Sequence, residues 1–199
     1  MAKMDINVKI FAFAYTMAFR DATMRNAFPR RNITESEMES DEAFHKRKND
    51  IKHHSEGIVR AYIDSIMSES NQESYDPLCV IKALCDEHNT NLGFSFGNAQ
   101  KLVNMTAKYM YLSTYGDEKK RELFSNCHCP MDSVMMDRIV EKQEEYSLGR
   151  IEFEIPWSRL KISDTKSLEE YERFQKNIKK TAERKKIYPI EVDFLLWDE

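Results

Sequence analysis

Lys101 stands one turn inside the helix predicted for Asn98 to about Ser113, in the stretch LGFSFGNAQKLVNMTAKYMYL. A lysine amine attacks electrophilic carbon once it has given up its proton, and the positive end of a helix works against a cation placed there. The same lysine is equally read as surface decoration. Before it runs a glycine-bearing turn with Gly93, Ser95, Gly97 and Asn98. Glycine permits positive φ and close backbone approach, so such a turn can aim consecutive N–H groups at a phosphate. Many helical hairpins turn on glycine with no ligand, and the turn alone leaves both readings open. Asp132, ahead of SVMMDRIV, has the type and position of an N-cap residue.

Other constellations are weaker. Cys127, His128 and Cys129 invite a metal reading, but the four ligands and paired spacing of a structural zinc site are missing, so thiols without metal are expected. His53 and His54 diverge on adjacent helical positions. Trp157 with Arg159 suits either packing or a nucleic-acid backbone, and packing is the simpler reading.

These residues need elements to hold them. The chain of 199 residues is 41% hydrophobic and 32% charged, with only five glycines and five prolines. That balance favours a mostly α fold with short loops, in one domain spanning 1–199 or two small helical lobes around a central cleft. Thr34 and Glu37 have capping-box spacing, and the segment after them repeats its apolar residues at helical intervals through Ile66, as one helix or two end to end. NQESYDP breaks that pattern, Pro77 opens the next helix, NTNLGFSFG is a loop, and IEFEIPW alternates as an extended segment does. SLEEYERFQKNIKKTAERK and IEVDFLLWDE read as the last two helices.

VKIFAFAYTMAF, Val8 to Phe19, is too short to cross a bilayer and reads as a buried first helix. With four cysteines and no secretory signal, a cytoplasmic protein with reduced thiols is expected. A net charge of −4 works mildly against nucleic-acid binding. The basic residues nevertheless cluster, in FPRRN, HKRKNDIKHH, EKKR and KNIKKTAERKK. Singly these are solvated faces; converging on one groove they would make a nucleic-acid footprint.

The helix, glycine turn and helix, followed by HCPMDSVMMDRIV, resemble the hairpin and proline–aspartate–helix pattern of the helix-hairpin-helix DNA glycosylase superfamily. The 31 residues from Lys101 to Asp132, the KLVNMTAKYMY helix and PIEVDFLLW are similar to its archaeal 8-oxoguanine glycosylase branch. They are also similar to a bacterial phage-defence branch that removes glucosylated hydroxymethylcytosine. The resemblance covers roughly the second half of the chain.

It implies a helical glycosylase fold around a central cleft, acting on double-stranded DNA as a monomer, with no cofactor, metal or membrane. Lys101 and Asp132 would be catalytic, Asp132 stabilising the oxocarbenium-like sugar. Asp193, Trp197 and Met105 would form the base pocket, and Gly93, Ser95, Gly97 and Asn98 the DNA-binding hairpin. The flipped base would be excised to leave an abasic site. Met105 stands where the archaeal branch carries an aromatic residue, which turns the expectation toward a bulky modified pyrimidine of phage DNA, removed as antiviral defence. The alternatives are 8-oxoguanine excision with AP lyase activity, a non-catalytic hairpin module that binds DNA, and a helical protein–protein adaptor.

Overall fold

The computed structural model describes residues 6–24, 27–28, 30–32, 38–68, 76–85 and 93–197. Thr34 and Glu37, most of NQESYDP and the loop up to Leu92 lie outside the described residues. Among the described residues the regular elements are all helical: α1 (Ile6–Ala22), α2 (Asp41–Met67), α3 (Pro77–Cys85), α4 (Phe96–Leu112), α5 (Glu118–Glu122), α6 (Ser133–Glu141), α7 (Thr165–Lys185) and α8 (Val192–Trp197). Two 3-10 turns, Trp157–Arg159 and Pro189–Glu191, complete the order. No helix among the described residues is long and apolar enough to cross a membrane.

The central element is α4. All of its residues are buried except Lys101, Lys108, Tyr109 and Leu112. It packs mainly on α1 and α3, and touches α2 and the Trp157–Arg159 turn. A helix enclosed on nearly every side must be apolar or small almost throughout, and Ala99, Leu102, Val103 and Ala107 are wholly buried. Its polar members Gln100 and Asn104 are buried too, so each must find hydrogen-bond partners inside. Ser95 caps its start by accepting from the Asn98 amide at 3.2 Å.

α1 lays Phe11, Tyr15, Phe19 and Ala22 against this core and leaves Ile6, Val8 and Phe13 exposed, so the first helix is buried on one face only. α2 is a single helix capped by Ser40. IEFEIPW is not a strand: residues 151–156 run extended or bent without a ladder partner, burying Ile151 and half-burying Phe153 and Ile155. Its alternation reflects one side resting on the core rather than sheet pairing. Positive φ at Gly93, 71°, gives the chain its left-handed entry toward α4.

Candidate active site

Lys101 and Asp132 meet. The ammonium Nζ lies 3.0 Å from Asp132 Oδ2, and the two side chains are 14% and 18% exposed. Asp132 is also the N-cap of α6: its other oxygen, Oδ1, accepts from the Met135 amide at 3.1 Å. One carboxylate thus starts a helix and holds an amine. Its approach to α4 is set by Gln100, whose amide accepts from Met131 N–H at 3.0 Å and donates to Met131 C=O at 2.5 Å. This two-point clamp fixes the backbone immediately before Asp132, and Gln175 grips Cys129 in the same way, at 3.1 and 2.8 Å. The indole of Trp157 completes the surroundings, with Lys101 Nζ 4.9 Å from the ring centroid.

A second pair lies further along the same helix. Lys108 Nζ is 2.7 Å from Asp193 Oδ1, with 12% and 3% exposure, and 4.7 Å from the Phe194 ring centroid. Burial pushes the Asp193 carboxyl above its ordinary range, and Lys108 pulls it back. Positions 101, 105 and 108 fall on one helical stripe, so Met105 sits between the two lysines. It is buried, 9% exposed, and belongs to the core more than to an open wall. Sequence reasoning misses Lys108 and Gln100. The seven-residue spacing from Lys101 is a signal for Lys108; for Gln100, bonded to Met131 across 31 residues, there is none.

Asp193 and Trp197, both expected in the base pocket, differ in exposure. Asp193 is buried while Trp197, the last residue of a six-residue helix, is 61% exposed. Gly97 needs a correction of a different kind. It is buried in the first turn of α4, its φ is not positive, and a Cβ there would lie 2.0 Å from the Trp157 carbonyl oxygen. The close approach that this glycine permits is made by the protein's own turn, which leaves no room for a phosphate. Gly93 is exposed, and Ser95 and Asn98 line a cleft.

That cleft, about 1150 Å³, adjoins the Lys101 site through Asn98, Ser133 and Trp157. Its charged lining among the described residues consists of Asp137, Glu141, Glu152 and Glu154, with no lysine or arginine. The basic clusters do not converge here. Trp157 both packs on the core and lines the cleft, while Arg159 is exposed, as are His53 and His54.

The Cys127–Cys129 segment is interior packing. Cys127 and Cys129 are buried and free, and burial pushes the Cys127 thiol up to about 12. His128 Nδ1 lies 2.9 Å from the Tyr171 hydroxyl, and burial pulls its pKa down to about 4. No metal-ligating cluster occurs among the described residues. Chemically, the arrangement offers an amine and a carboxylate in contact beneath an indole, at the margin of a large cleft. Set against protein-family models, curated proteins and solved structures, the chain matches none of them.

Proposed function

We propose that the protein is a DNA glycosylase that receives an everted, modified base and breaks its N-glycosidic bond. The observation that carries this reading is the 3.0 Å contact between Lys101 and Asp132, residues 31 apart in the chain, beside a cleft wide enough for a nucleotide. In the reaction the C1′–N bond breaks and its electron pair leaves with the base, which takes up a proton. The positive charge left on the sugar is stabilised by Asp132. Lys101, having given that proton to the departing base, forms the new bond to C1′, or a water does so and passes its own proton to Lys101. The acidic lining is compatible with this chemistry, because the base that enters can be neutral while the phosphates stay outside.

A modified pyrimidine of phage DNA is preferred over 8-oxoguanine on the resemblance alone, since Met105 is buried in the core and the aromatic face beside Lys101 is that of Trp157. The test uses duplexes carrying glucosylated hydroxymethylcytosine or 8-oxoguanine, followed by alkaline cleavage of abasic sites. Asp132→Asn retains an N-cap side chain, and together with Lys101→Ala it is expected to lower excision at least about 100-fold, the scale of losing one electrostatic or nucleophilic partner. Helical content should stay intact. Borohydride trapping of a protein–DNA adduct identifies covalent attack; its absence with excision intact identifies water. Unchanged excision in both variants would remove the reading.

The four carboxylates of the cleft favour one rival, an adaptor that binds a cationic protein surface without chemistry. That protein would bind no DNA at low salt and would tolerate both substitutions.

A further inference from the structure

A second recess, about 550 Å³, lies between α1 and α2 and has the opposite charge from the cleft. Arg20, Lys48 and Lys52 line it, together with the half-buried ring of Phe44, and no aspartate or glutamate is among its described lining residues. Met24 and Ala27 line this recess and the acidic cleft alike, so the two are neighbours across one wall.

Lys48 and Lys52 are one helical turn apart on α2, a spacing at which like charges repel. Both are half-buried, and among the described residues no carboxylate lies within ion-pair distance of either. The acids nearby are committed elsewhere. Glu39 is held by Arg47 at 2.6 Å, Asp41 by Arg30, Glu56 by Arg60 at 3.0 Å, and Asp21 accepts from the Tyr109 hydroxyl at 2.9 Å with Arg20 at 3.7 Å. Arg30 and Arg47, each paired with a carboxylate, both rest on the Phe44 ring, 5.4 and 5.5 Å from its centroid, and pack it in place beside the recess. Two partly desolvated, mutually repelling ammonium groups over an apolar floor favour an anion with an apolar body.

We infer that this recess binds the phosphodiester backbone of a DNA strand, its cations taking phosphate oxygens and its floor packing a deoxyribose. The inference rests on the glycosylase reading for its partner and adds the track: the backbone runs along the α1–α2 recess, and the nucleotide next to it everts past Met24 and Ala27 into the acidic cleft. The charge segregation accounts for both halves, since phosphate is repelled by the four carboxylates and attracted by the lysines.

The experiment measures affinity of the full chain for an unmodified fluorescent duplex as a function of salt. Neutralising one phosphate-binding cation lowers the slope of log K against log salt by about 0.9. The double variant Lys48→Gln, Lys52→Gln is expected to bind about tenfold more weakly at low salt, with a slope reduced by about 2. Its melting temperature should be equal or higher, because a repulsion has been removed. The control, Lys179→Gln with Lys180→Gln on the exposed face of α7, should keep the parent slope. Unchanged slope in the α2 variant, or full competition by inorganic phosphate alone at concentrations that leave ionic strength constant, would overturn the inference. Excision is read separately. DNA binding through α2 without base release would sink the glycosylase reading and leave the recess, whereas excision with an unaltered slope would do the reverse.

Discussion

Two lysine–aspartate pairs share one face of α4, yet they are built differently. Asp193 is almost sealed, 3% exposed, and its α8 is held down by Ile190, Val192 and Leu196 and by Glu191, which receives Arg121 at 2.5 Å and the Tyr111 hydroxyl. Asp132 is 18% exposed, opens a helix, and lies beside a cleft under a cation-binding indole. A sealed pair is a structural tie whose desolvation has already been met by its neighbours. A pair that solvent and a ligand can reach is one that can be broken and remade, which chemistry requires. The difference assigns structure to 108–193 and, under the proposed function, turnover to 101–132.

The strongest way to break that comparison is to remove one lysine at a time. Lys108→Met leaves Asp193 buried beside no cation, and breaking such a pair costs about 3 to 5 kcal/mol. Lys101→Met uncovers a partner that water can reach, and about 1 kcal/mol is expected. Urea unfolding of the two variants measures both. Equal losses would mean that the pairs are alike and that the functional distinction is wrong. Excision should follow the opposite order, with the 101 variant inactive and the 108 variant losing activity only as it unfolds.

Acid sharpens the contrast from the other side. The segment from Cys127 to Asp132 delivers only the reachable pair, and His128 ties it to α7 through Tyr171. Its pKa is about 4 in the fold against an ordinary 6.5, because burial disfavours the charged ring, while Asp76 opposes that shift. The unfolded chain therefore binds the extra proton first. Stability contributed by neutral His128 is complete above pH 6.5 and is lost as pH falls toward 4, by up to about 3 kcal/mol. Urea midpoints at about pH 7 and about pH 4.5, on either side of the ordinary histidine range, measure it, and His128→Gln should flatten that part of the profile. Asp193 works in the opposite sense: its raised pKa makes its own contribution fall as pH rises above the ordinary carboxylate range.

How much of this is legible without the structure depends on whether the cause is local. The N-cap at Asp132, the helical patterns of α1, α2 and α7, and the proline that opens α3 are short-range effects written in a few adjacent residues. The meeting of Lys101 with Asp132 is expected only through the resemblance, since nothing in their spacing demands contact. Gly97 misleads because glycine signals close approach without naming what approaches, and here it is the Trp157 carbonyl. The segregation of charge between two adjoining clefts is invisible in the sequence, because it depends on how α1, α2, α6 and the 151–158 segment are arranged around Met24 and Ala27. IEFEIPW lacks a neighbouring strand, and alternation by itself supplies none.

The last effect concerns Gln100, the residue that makes the reachable pair possible without touching either partner's charge. Its side-chain amide pairs with Met131 as a peptide group would, one donor and one acceptor at once, and Asn104 donates to the same Gln100 oxygen at 3.2 Å. Gln100→Leu keeps much of the buried volume and leaves the Met131 N–H and C=O without that partner. The expected cost is about 2 kcal/mol. Gln100→Glu still accepts from the Met131 N–H but cannot donate when ionised, so it sets a carboxylate against a carbonyl and brings a second negative charge toward Asp132. Hydrogen exchange at the Met131 amide should quicken in the Leu variant and stay slow in the Glu variant, while excision falls in both because Asp132 is no longer held in register with Lys101. Normal excision with fast exchange at Met131 would show that α6's own cap suffices to hold the carboxylate, and the clamp would then be only a packing feature of the core.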